Sequence, residues 1–270
     1  MKNAIALHTL RVLIRGAGEQ ASGVAHRLAR SHLLVAMTEI AHPLCVRRGV
    51  SFCEALFEET KEVEGVCARL VAAPDAVFAA WEQGTIPLLI DPHGDARAVI
   101  KPHVIVDAIL AKRNLGTHTG DAPLVIALGP GFSAGVDVDV VIETNRGHDL
   151  GRVIYDGPAE PDTGVPGTIA GVGAERVLRA PREGDFRPVA PIGATVEQGQ
   201  IVAWVEDQPL ATAIPGVLRG LLREGVHVQK GLKAGDVDPR GRRENCFTIS
   251  DKARAIGGGV LEAILAHFPC

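Results

Sequence analysis

A glycine-rich segment near the N-terminus has the residue types and the spacing of an anion-binding turn. Gly16, Gly18 and Ala21 form a Gly-x-Gly-x-x-Ala pattern between a short apolar run and a helical pattern. In strand–turn–helix units of this kind the glycines permit a tight turn and a close approach of pyrophosphate, while the helix N-terminus attracts negative charge. Ser22 adds a hydroxyl group to the same turn. We therefore expect Gly16, Gly18 and Ser22 to hold a phosphate group.

Glu39 closes the next apolar run, residues 33–38. An acidic residue at the end of the second strand of a dinucleotide-binding fold contacts the ribose hydroxyls of NAD. The pattern thus predicts NAD(P) or another nucleotide as the cofactor, bound at the glycine turn and at Glu39. The alternative is a plain strand–turn–helix unit in which the glycines serve packing alone.

Further polar and glycine-rich loops follow the later apolar runs of the N-terminal half. Ligands of open α/β sheets bind outside the carboxyl ends of the strands, so these loops predict one shared site for an anionic ligand. The alternative is that they are ordinary solvated loops. The candidate residues in these loops are Arg47, Arg48, Lys112, Arg113, Asn114, Gly129, Gly131, Asn145 and Arg146.

Catalytic residues are not identified by any motif. Walker and zinc-ligand patterns do not occur in the sequence, and no metal site is expected. Asp107 and His148 are candidates for proton transfer if the protein is an oxidoreductase. Whether the protein catalyses a reaction stays open at this stage.

Composition and charge narrow the class of protein. The chain has 270 residues, is 46% hydrophobic and carries a formal net charge of −4 without a basic block, which disfavours nucleic acid and anionic membranes as partners. No apolar run reaches the length of a membrane span, and His8 and Arg11 interrupt the N-terminus before a signal-like core develops. The five cysteines lack metal-like spacing and are typical of buried thiols in a reducing compartment. We expect a cytoplasmic protein.

The order of apolar runs predicts an α/β protein with three parts. Residues 1–150 are expected to form a Rossmann-like domain with a parallel sheet. Residues 151–245 contain a repeat, in which residues 193–205 and 225–237 share glycine, valine three on, glycine six on and valine twelve on. The repeat predicts a small all-β module similar to the barrel-sandwich hybrid of biotinyl and lipoyl domains. Residues 206–219 contain no lysine, so a swinging-arm carrier is not expected.

The third part, residues 246–270, is expected to be a helix that packs back on the first domain. Ser250 is a suitable N-cap, and apolar residues recur on one face of the predicted helix. Gly257, Gly258 and Gly259 lie inside this helix. We expect them to permit the close approach of another backbone or of a ligand.

Several phrases of the sequence together resemble a known family. They are R-G-A-G-E-Q-A-S-G-V-A-H-R-L, V-R-R-G-V-S-F-C-E-A, L-G-P-G-F-S-A-G, E-T-N-R-G-H and S-D-K-A-R-A-I-G-G-G-V-L-E-A. They are similar to phrases of the selenium-dependent molybdenum hydroxylase accessory proteins of the YqeB type. The resemblance implies a Rossmann-like N-terminal domain and a role in hydroxylase maturation, near a molybdopterin-type cofactor or near selenium or sulfur delivery. Cys45 or Cys53 would then carry selenium or sulfur as a persulfide.

Three functions follow as alternatives. The first is a maturation protein that binds a phosphate-bearing ligand, a nucleotide or a molybdopterin-type cofactor, and that docks a molybdenum hydroxylase subunit or another maturation protein. The second is an NAD(P)-dependent oxidoreductase. The third is a non-catalytic scaffold. A homo-oligomer is compatible with all three.

Overall fold

The computed structural model describes residues 6–268 and divides into two compact units. Unit 1 comprises Met1–Ala41, Phe52–Asp162 and Ile249–Cys270, and unit 2 comprises His42–Ser51 and Thr163–Thr248. This division differs from the boundaries expected at residues 150 and 245, because a ten-residue segment after the second strand joins unit 2 and residues 151–162 stay in unit 1.

Unit 1 combines a large sheet with helices. Its described strands are β1 Arg11–Arg15, β2 Leu34–Glu39, β3 Thr60–Val63, β4 Val66–Leu70, β5 Ile86–Ile90, β6 Val104–Asp107, β7 Leu124–Leu128, β8 Ser133–Ala134, β9 Val140–Ile142, β10 Val153–Ile154 and β11 Gly157–Pro158. Its described helices are α1 Glu19–Arg30, α2 Ala55–Glu58, α3 Ala76–Glu82, α4 Arg97–Ile100 and α5 Asp251–His267.

The large sheet of unit 1 is mixed. Within residues 6–268 its nine strands follow the order β10-β9-β7-β6-β1-β2-β5-β4-β3. The strands from β9 to β4 in this order pair in parallel, whereas β10 and β3 pair antiparallel at the two edges. The order reverses between β1 and β6, since the chain runs to one side through β2 and to the other through β7 and β9.

The Rossmann-like parallel sheet expected from the sequence is therefore wrong. Residues 64–65 join β3 to β4, and a connection this short makes an antiparallel pair because a parallel crossover needs a dozen or more residues. The β6–β7 connection, residues 108–123, is fully described and contains no helix, although a regular crossover of the expected fold would use one.

Unit 2 is built from two four-stranded antiparallel sheets. Its described strands are β12 Val177–Arg179, β13 Gly184–Pro188, β14 Thr195–Val196, β15 Ile201–Val205, β16 Gln208–Ala211, β17 Gly216–Leu221, β18 His227–Val228 and β19 Lys233–Asp238. The first sheet has the order β12-β19-β17-β14, and the second has the order β16-β15-β13-β18. Phe186, Val205, Leu218 and Val237 are members of its apolar core.

The barrel-sandwich-hybrid-like module expected from the repeat is not supported. The repeated glycines at 193, 199, 225 and 231 all have φ between 78° and 92°. They occupy tight turns before short strands, where glycine adopts a positive φ without the steric cost that other residues carry. The repeat therefore reflects the need for glycine in tight turns, and antiparallel modules of different folds have this need in common.

Ion pairs are buried in unit 2. Asp236 accepts hydrogen bonds from Arg176 and Arg219, and Asp238 accepts from Arg240 Nε at 2.9 Å. Burial raises the pKa of Asp238, but hydrogen bonds from Arg240 and the charges of Arg219 and Arg240 outweigh it and lower the pKa from 3.8 to about 2.

Helix α5 lies in unit 1 and packs closely on α1. Ser250 caps the helix by accepting a hydrogen bond from Ala253 N at 3.3 Å, and α5 continues through its three glycines. A Cβ on Gly257 would lie 3.2 Å from the carbonyl oxygen of Gly23 in α1, whereas a Cβ on Gly258 would meet nothing within 4 Å. A Cβ on Gly259 would overlap the Gly151 carbonyl. The expected close approach therefore occurs at two of the three glycines. Among residues 6–268, no helix combines the length and apolarity needed to cross a membrane.

Candidate functional site

The glycine turn after β1 is held in place by contacts with other residues of unit 1. Gly16 has φ of 99°, and a Cβ there would lie 2.9 Å from the Ala108 carbonyl oxygen of the loop after β6. Ala17 N donates to Glu39 Oε2 at 2.8 Å, and Ile40 N donates to Glu39 Oε1 at 2.8 Å. Burial raises the pKa of Glu39, and these two backbone hydrogen bonds partly offset the rise. The carboxylate expected to bind ribose thus caps the turn beside it.

Ser22 also bonds inside unit 1. Its side chain is fully buried, and its Oγ donates to the Ala17 carbonyl at 3.1 Å and accepts from Phe52 N at 2.8 Å. Cys53 N donates to the same Ala17 carbonyl at 3.0 Å. Gly18 is the open side of the turn, since a Cβ there would meet nothing within 4 Å. The role of Gly16, Gly18, Ser22 and Glu39 in ligand binding stays a prediction.

The basic candidates bond to different partners. In unit 2, Arg47 Nη2 donates to the Asn245 carbonyl at 3.0 Å, and Arg48 Nε donates to the Leu221 carbonyl at 2.8 Å. In unit 1, Lys112 pairs with Asp162 at 2.5 Å, and Arg146 forms a bidentate pair with Asp251 at 2.9 and 3.0 Å. Arg113 lies exposed in the loop after β6. Each paired cation is directed to a partner within its own unit.

The remaining predicted residues shape three loops that approach each other. A Cβ on Gly131, after β7, would overlap the backbone of Arg113, and a Cβ on Gly129 would overlap Thr144, after β9. Asn114 Oδ1 accepts from Thr117 N at 2.8 Å and so closes its own turn. The structure thus brings together the loops after β6, β7 and β9. The loop after β9 also carries Asn145, whose Nδ2 donates a hydrogen bond to Glu160.

A buried polar cluster lies at the reversal point of the sheet. Thr117 Oγ1 donates to Asp107 Oδ2 at 2.6 Å, and Arg15 Nη1 lies 3.6 Å from the same oxygen. Asp107 is only 2% exposed. Its carboxylate is therefore paired inside the unit, while His148, the other proton-transfer candidate, is exposed. Sequence reasoning missed Arg15, since nothing in an apolar strand that ends in arginine shows which way the side chain turns.

The cysteines proposed as persulfide carriers differ in exposure. Cys53 is buried and Cys45 is half-buried, and neither forms a disulfide. A sulfur carrier needs an accessible thiolate, so the burial of Cys53 argues against that role.

A pocket of about 450 Å³ opens at the carboxyl ends of the neighbouring parallel strands β4 and β5. We call it the β4–β5 pocket. Its walls are mainly apolar, and the turn after β5 supplies its polar groups. The lining residues are Leu70, Val71, Ala72, Pro74, Leu89, Ile90, Asp91, Pro92, His93, Asp95 and Ala96. A concave, mainly apolar pocket with a few polar groups is the usual form of a small-molecule site.

The polar turn of the β4–β5 pocket is held in place by hydrogen bonds. Asp91 Oδ1 accepts from Asp95 N at 3.0 Å, and Asp91 Oδ2 accepts from Ala96 N at 2.8 Å. From outside the turn, Arg97 Nη1 donates to the carbonyl oxygen of His93 at 3.3 Å. These bonds fix the backbone while the His93 and Asp95 side chains stay exposed. The signal in the sequence is the phrase D-P-H-G, which follows the apolar run of β5.

Comparison with curated proteins finds one relative of high similarity. The chain is 48% identical over 254 residues to the Escherichia coli (strain K12) protein named Uncharacterized protein YqeB. The aligned residues are 94% of this chain and 47% of that protein, so the chain spans about half the length of the curated relative it matches. This similarity supports the resemblance to the YqeB family, but the selenium-dependent molybdenum hydroxylase role is not shown by it. No protein-family model matches the chain.

Solved structures give weaker similarities. An aspartoacylase family protein from Mesorhizobium loti is 13% identical, with 85% of this chain and 84% of that chain covered and a TM-score of 0.26. A succinylglutamate desuccinylase/aspartoacylase from Rhodobacter sphaeroides is 11% identical, with 85% of each chain covered and a TM-score of 0.25. Scores this low carry no argument about the fold or the activity of this chain.

The three functions expected from the sequence are nevertheless wrong. Within unit 1, Glu39 and Ser22 bond to backbone groups of the turn that was expected to receive the ligand. The maturation protein, the NAD(P)-dependent oxidoreductase and the scaffold are not carried forward. The expected cofactors, partner proteins and homo-oligomer are tested by none of these observations and stay predictions.

Proposed function

We propose that the protein binds a small organic cation with an apolar body, and that the β4–β5 pocket is the binding site. The observation that carries this proposal is the presence of two carboxylates, Asp91 and Asp95, in the lining of a mainly apolar cavity. The cavity lies at the carboxyl ends of parallel strands, where ligands of open α/β sheets bind.

The apolar wall would supply most of the affinity. Leu89 is 3% exposed, whereas its neighbour Ile90 is 53% exposed, although both line the pocket. A ligand that covers this exposed isoleucine removes apolar area from water, which stabilises the complex by about 25 cal/mol per Å². A ligand with an alkyl or aryl body satisfies this requirement.

The carboxylates would select the charge of the ligand. Asp91 is fixed by two backbone donors, and Asp95 is exposed beside it. Two negative charges at one mouth favour an ammonium group and disfavour a carboxylate of the same size. The His93 imidazole adds one hydrogen-bonding group of either polarity.

Isothermal titration with matched ligands tests the proposal. We expect n-hexylamine to bind, and hexanoate, which has the same number of carbon atoms and the opposite charge, not to bind. Asp95→Asn should weaken the binding of hexylamine about threefold to fivefold, because it removes one exposed charge. Ile90→Ser should weaken it through the lost apolar contact.

Two variants serve as controls. Glu82→Gln removes an exposed charge, and Val99→Ser removes an apolar side chain that is 45% exposed; neither residue lines the pocket. Both should leave hexylamine binding unchanged. Equal binding of hexylamine and hexanoate, or no binding of hexylamine to the unmodified protein, would contradict the proposal.

A further inference from the structure

A second pocket, of about 400 Å³, lies beside the edge pair β9–β10 in unit 1. We call it the β9–β10 pocket. It shares no residue with the β4–β5 pocket, and its lining carries charges of both signs. The lining residues are Glu143, Asp149, Arg152, Val153, Ile154, Tyr155, Pro158 and Glu160.

Glu143 contributes a carboxylate, fixed by hydrogen bonds, to the lining of this pocket. It is 2% exposed and follows directly on β9. Its Oε1 accepts from Thr144 N at 2.7 Å and from Asn145 N at 2.6 Å, and its Oε2 accepts from Glu160 N at 2.7 Å. A carboxylate offers about four acceptor positions, so these three bonds orient the group and leave one position for a donor on a ligand.

Arg152 supplies the opposite charge. Its Nη1 pairs with Asp149 Oδ1 at 2.8 Å, and its side chain is 68% exposed. A guanidinium group has five N–H donors in a planar fork, so this single pair leaves donors for a second carboxylate. The side chain of Tyr155, also on the lining, is 57% exposed and adds a hydroxyl.

The lining therefore fits a ligand that carries an ammonium and a carboxylate together. A simple cation would leave the guanidinium without a role, and a simple anion would meet three carboxylates, Glu143, Asp149 and Glu160. The apolar lining residues, Val153, Ile154 and Pro158, favour an apolar side chain on that ligand. We infer that the β9–β10 pocket is a binding site for a free α-amino acid with an apolar side chain. This inference is independent of the function proposed above.

Isothermal titration with three related compounds tests the inference. L-leucine carries both charges, isoamylamine is leucine without its carboxylate, and 4-methylpentanoate is leucine without its ammonium. We expect leucine to bind at millimolar concentration or below and each analogue to bind at least about fivefold more weakly, because each lacks one charged contact.

Arg152→Gln separates the two halves of the ligand. We expect it to weaken leucine about fivefold and to leave isoamylamine unchanged, because the ammonium does not contact the guanidinium. Arg182→Gln is the matched control, since Arg182 also makes one exposed pair, with Asp207 at 2.6 Å, in unit 2. It should change neither affinity.

The opposing outcomes are distinct. No leucine binding at millimolar concentration, binding of isoamylamine as tight as that of leucine, or equal weakening of leucine and isoamylamine by Arg152→Gln would each overturn the inference. Isoamylamine is also a cation of the kind proposed for the β4–β5 pocket, so the leucine series is titrated into the Ile90→Ser variant, in which that pocket is weakened. Hexylamine binding to the unmodified protein reports on the β4–β5 pocket, so either proposal can fail while the other stands.

Discussion

Arg15 and Asp107 face each other at the carboxyl ends of the adjacent parallel strands β1 and β6, with Nη1 of the arginine 3.6 Å from Oδ2 of the aspartate. Both side chains are almost excluded from solvent, and the Thr117 hydroxyl donates to the same carboxylate oxygen. Open α/β sheets bind their ligands where the strand order reverses. In this protein the reversal point holds an internal ion pair.

That ion pair predicts a large loss of stability in Asp107→Asn. The free energy of unfolding should fall by about 3–5 kcal/mol, because Arg15 would keep a buried charge without its counter-charge. Urea unfolding followed by circular dichroism measures the change. Asp207→Asn, which removes the partner of the exposed Arg182, should cost less than about 1 kcal/mol. Similar losses in the two variants would show that the buried ion pair contributes no more to the free energy of unfolding than the exposed pair does.

The close approach of α5 to the Gly151 carbonyl predicts opposite effects at neighbouring glycines. Gly259→Ala should destabilise the protein by about 1–3 kcal/mol, because the new Cβ would overlap the Gly151 carbonyl. Gly258→Ala should stabilise it by up to about 1 kcal/mol, because alanine is the better helix former and its Cβ meets nothing within 4 Å. Thermal unfolding of the two variants measures the difference. Effects of the same sign would contradict the helix packing described here.

Glu39 is expected to stabilise the fold through the turn it caps. Glu39→Gln should lower the free energy of unfolding by about 1–3 kcal/mol, because the amide group would turn an N–H donor toward Ala17 N or Ile40 N. Denaturant unfolding measures the loss, with Glu82→Gln as the exposed control. An unchanged stability would point back to a carboxylate that is available to a ligand.

Asp238 predicts a loss of stability in acid. Its pKa in the folded protein is lowered to about 2 from the ordinary value of 3.8, so the stabilisation is present above pH 3.8 and is lost as the pH falls toward 2. Asp238→Asn should be less stable than the unmodified protein at neutral pH, and the gap should narrow across this window. Denaturant unfolding at several pH values measures it. A gap that stays constant down to pH 2 would contradict the pairing with Arg240.

The sequence predicted the interior of the sheet better than its edges. Apolar runs at residues 12–14, 86–90 and 124–128 lie in β1, β5 and β7, because buried parallel strands are apolar on both faces. The edge strands β3 and β10 were missed. Their direction depends on the length and geometry of a turn, and the apolar pattern of residues 63–71 does not reveal that residues 64–65 form the β3–β4 turn.

The candidate site was predicted less well, for a different reason. Residue type shows that Glu39 is able to accept hydrogen bonds, but it does not show that Ala17 N and Ile40 N supply them. The β4–β5 pocket was missed because its wall comes from strands that meet only in the folded sheet. The phrase D-P-H-G offered a signal, since a proline and a glycine after an apolar run mark a turn that carries exposed polar side chains.

The segment His42–Ser51 gives the chain an unusual order of assembly. Leu221 N, in β17, donates to the Val46 carbonyl at 2.8 Å, so unit 2 needs a partner that was synthesised about 170 residues earlier. Unit 1 likewise cannot complete its fold until α5, which packs on α1, has been synthesised. On a ribosome, therefore, both units must stay unfinished until the C-terminal third of this sequence has emerged. We therefore expect the incomplete units to expose apolar surface during translation, and exposed apolar surface favours aggregation.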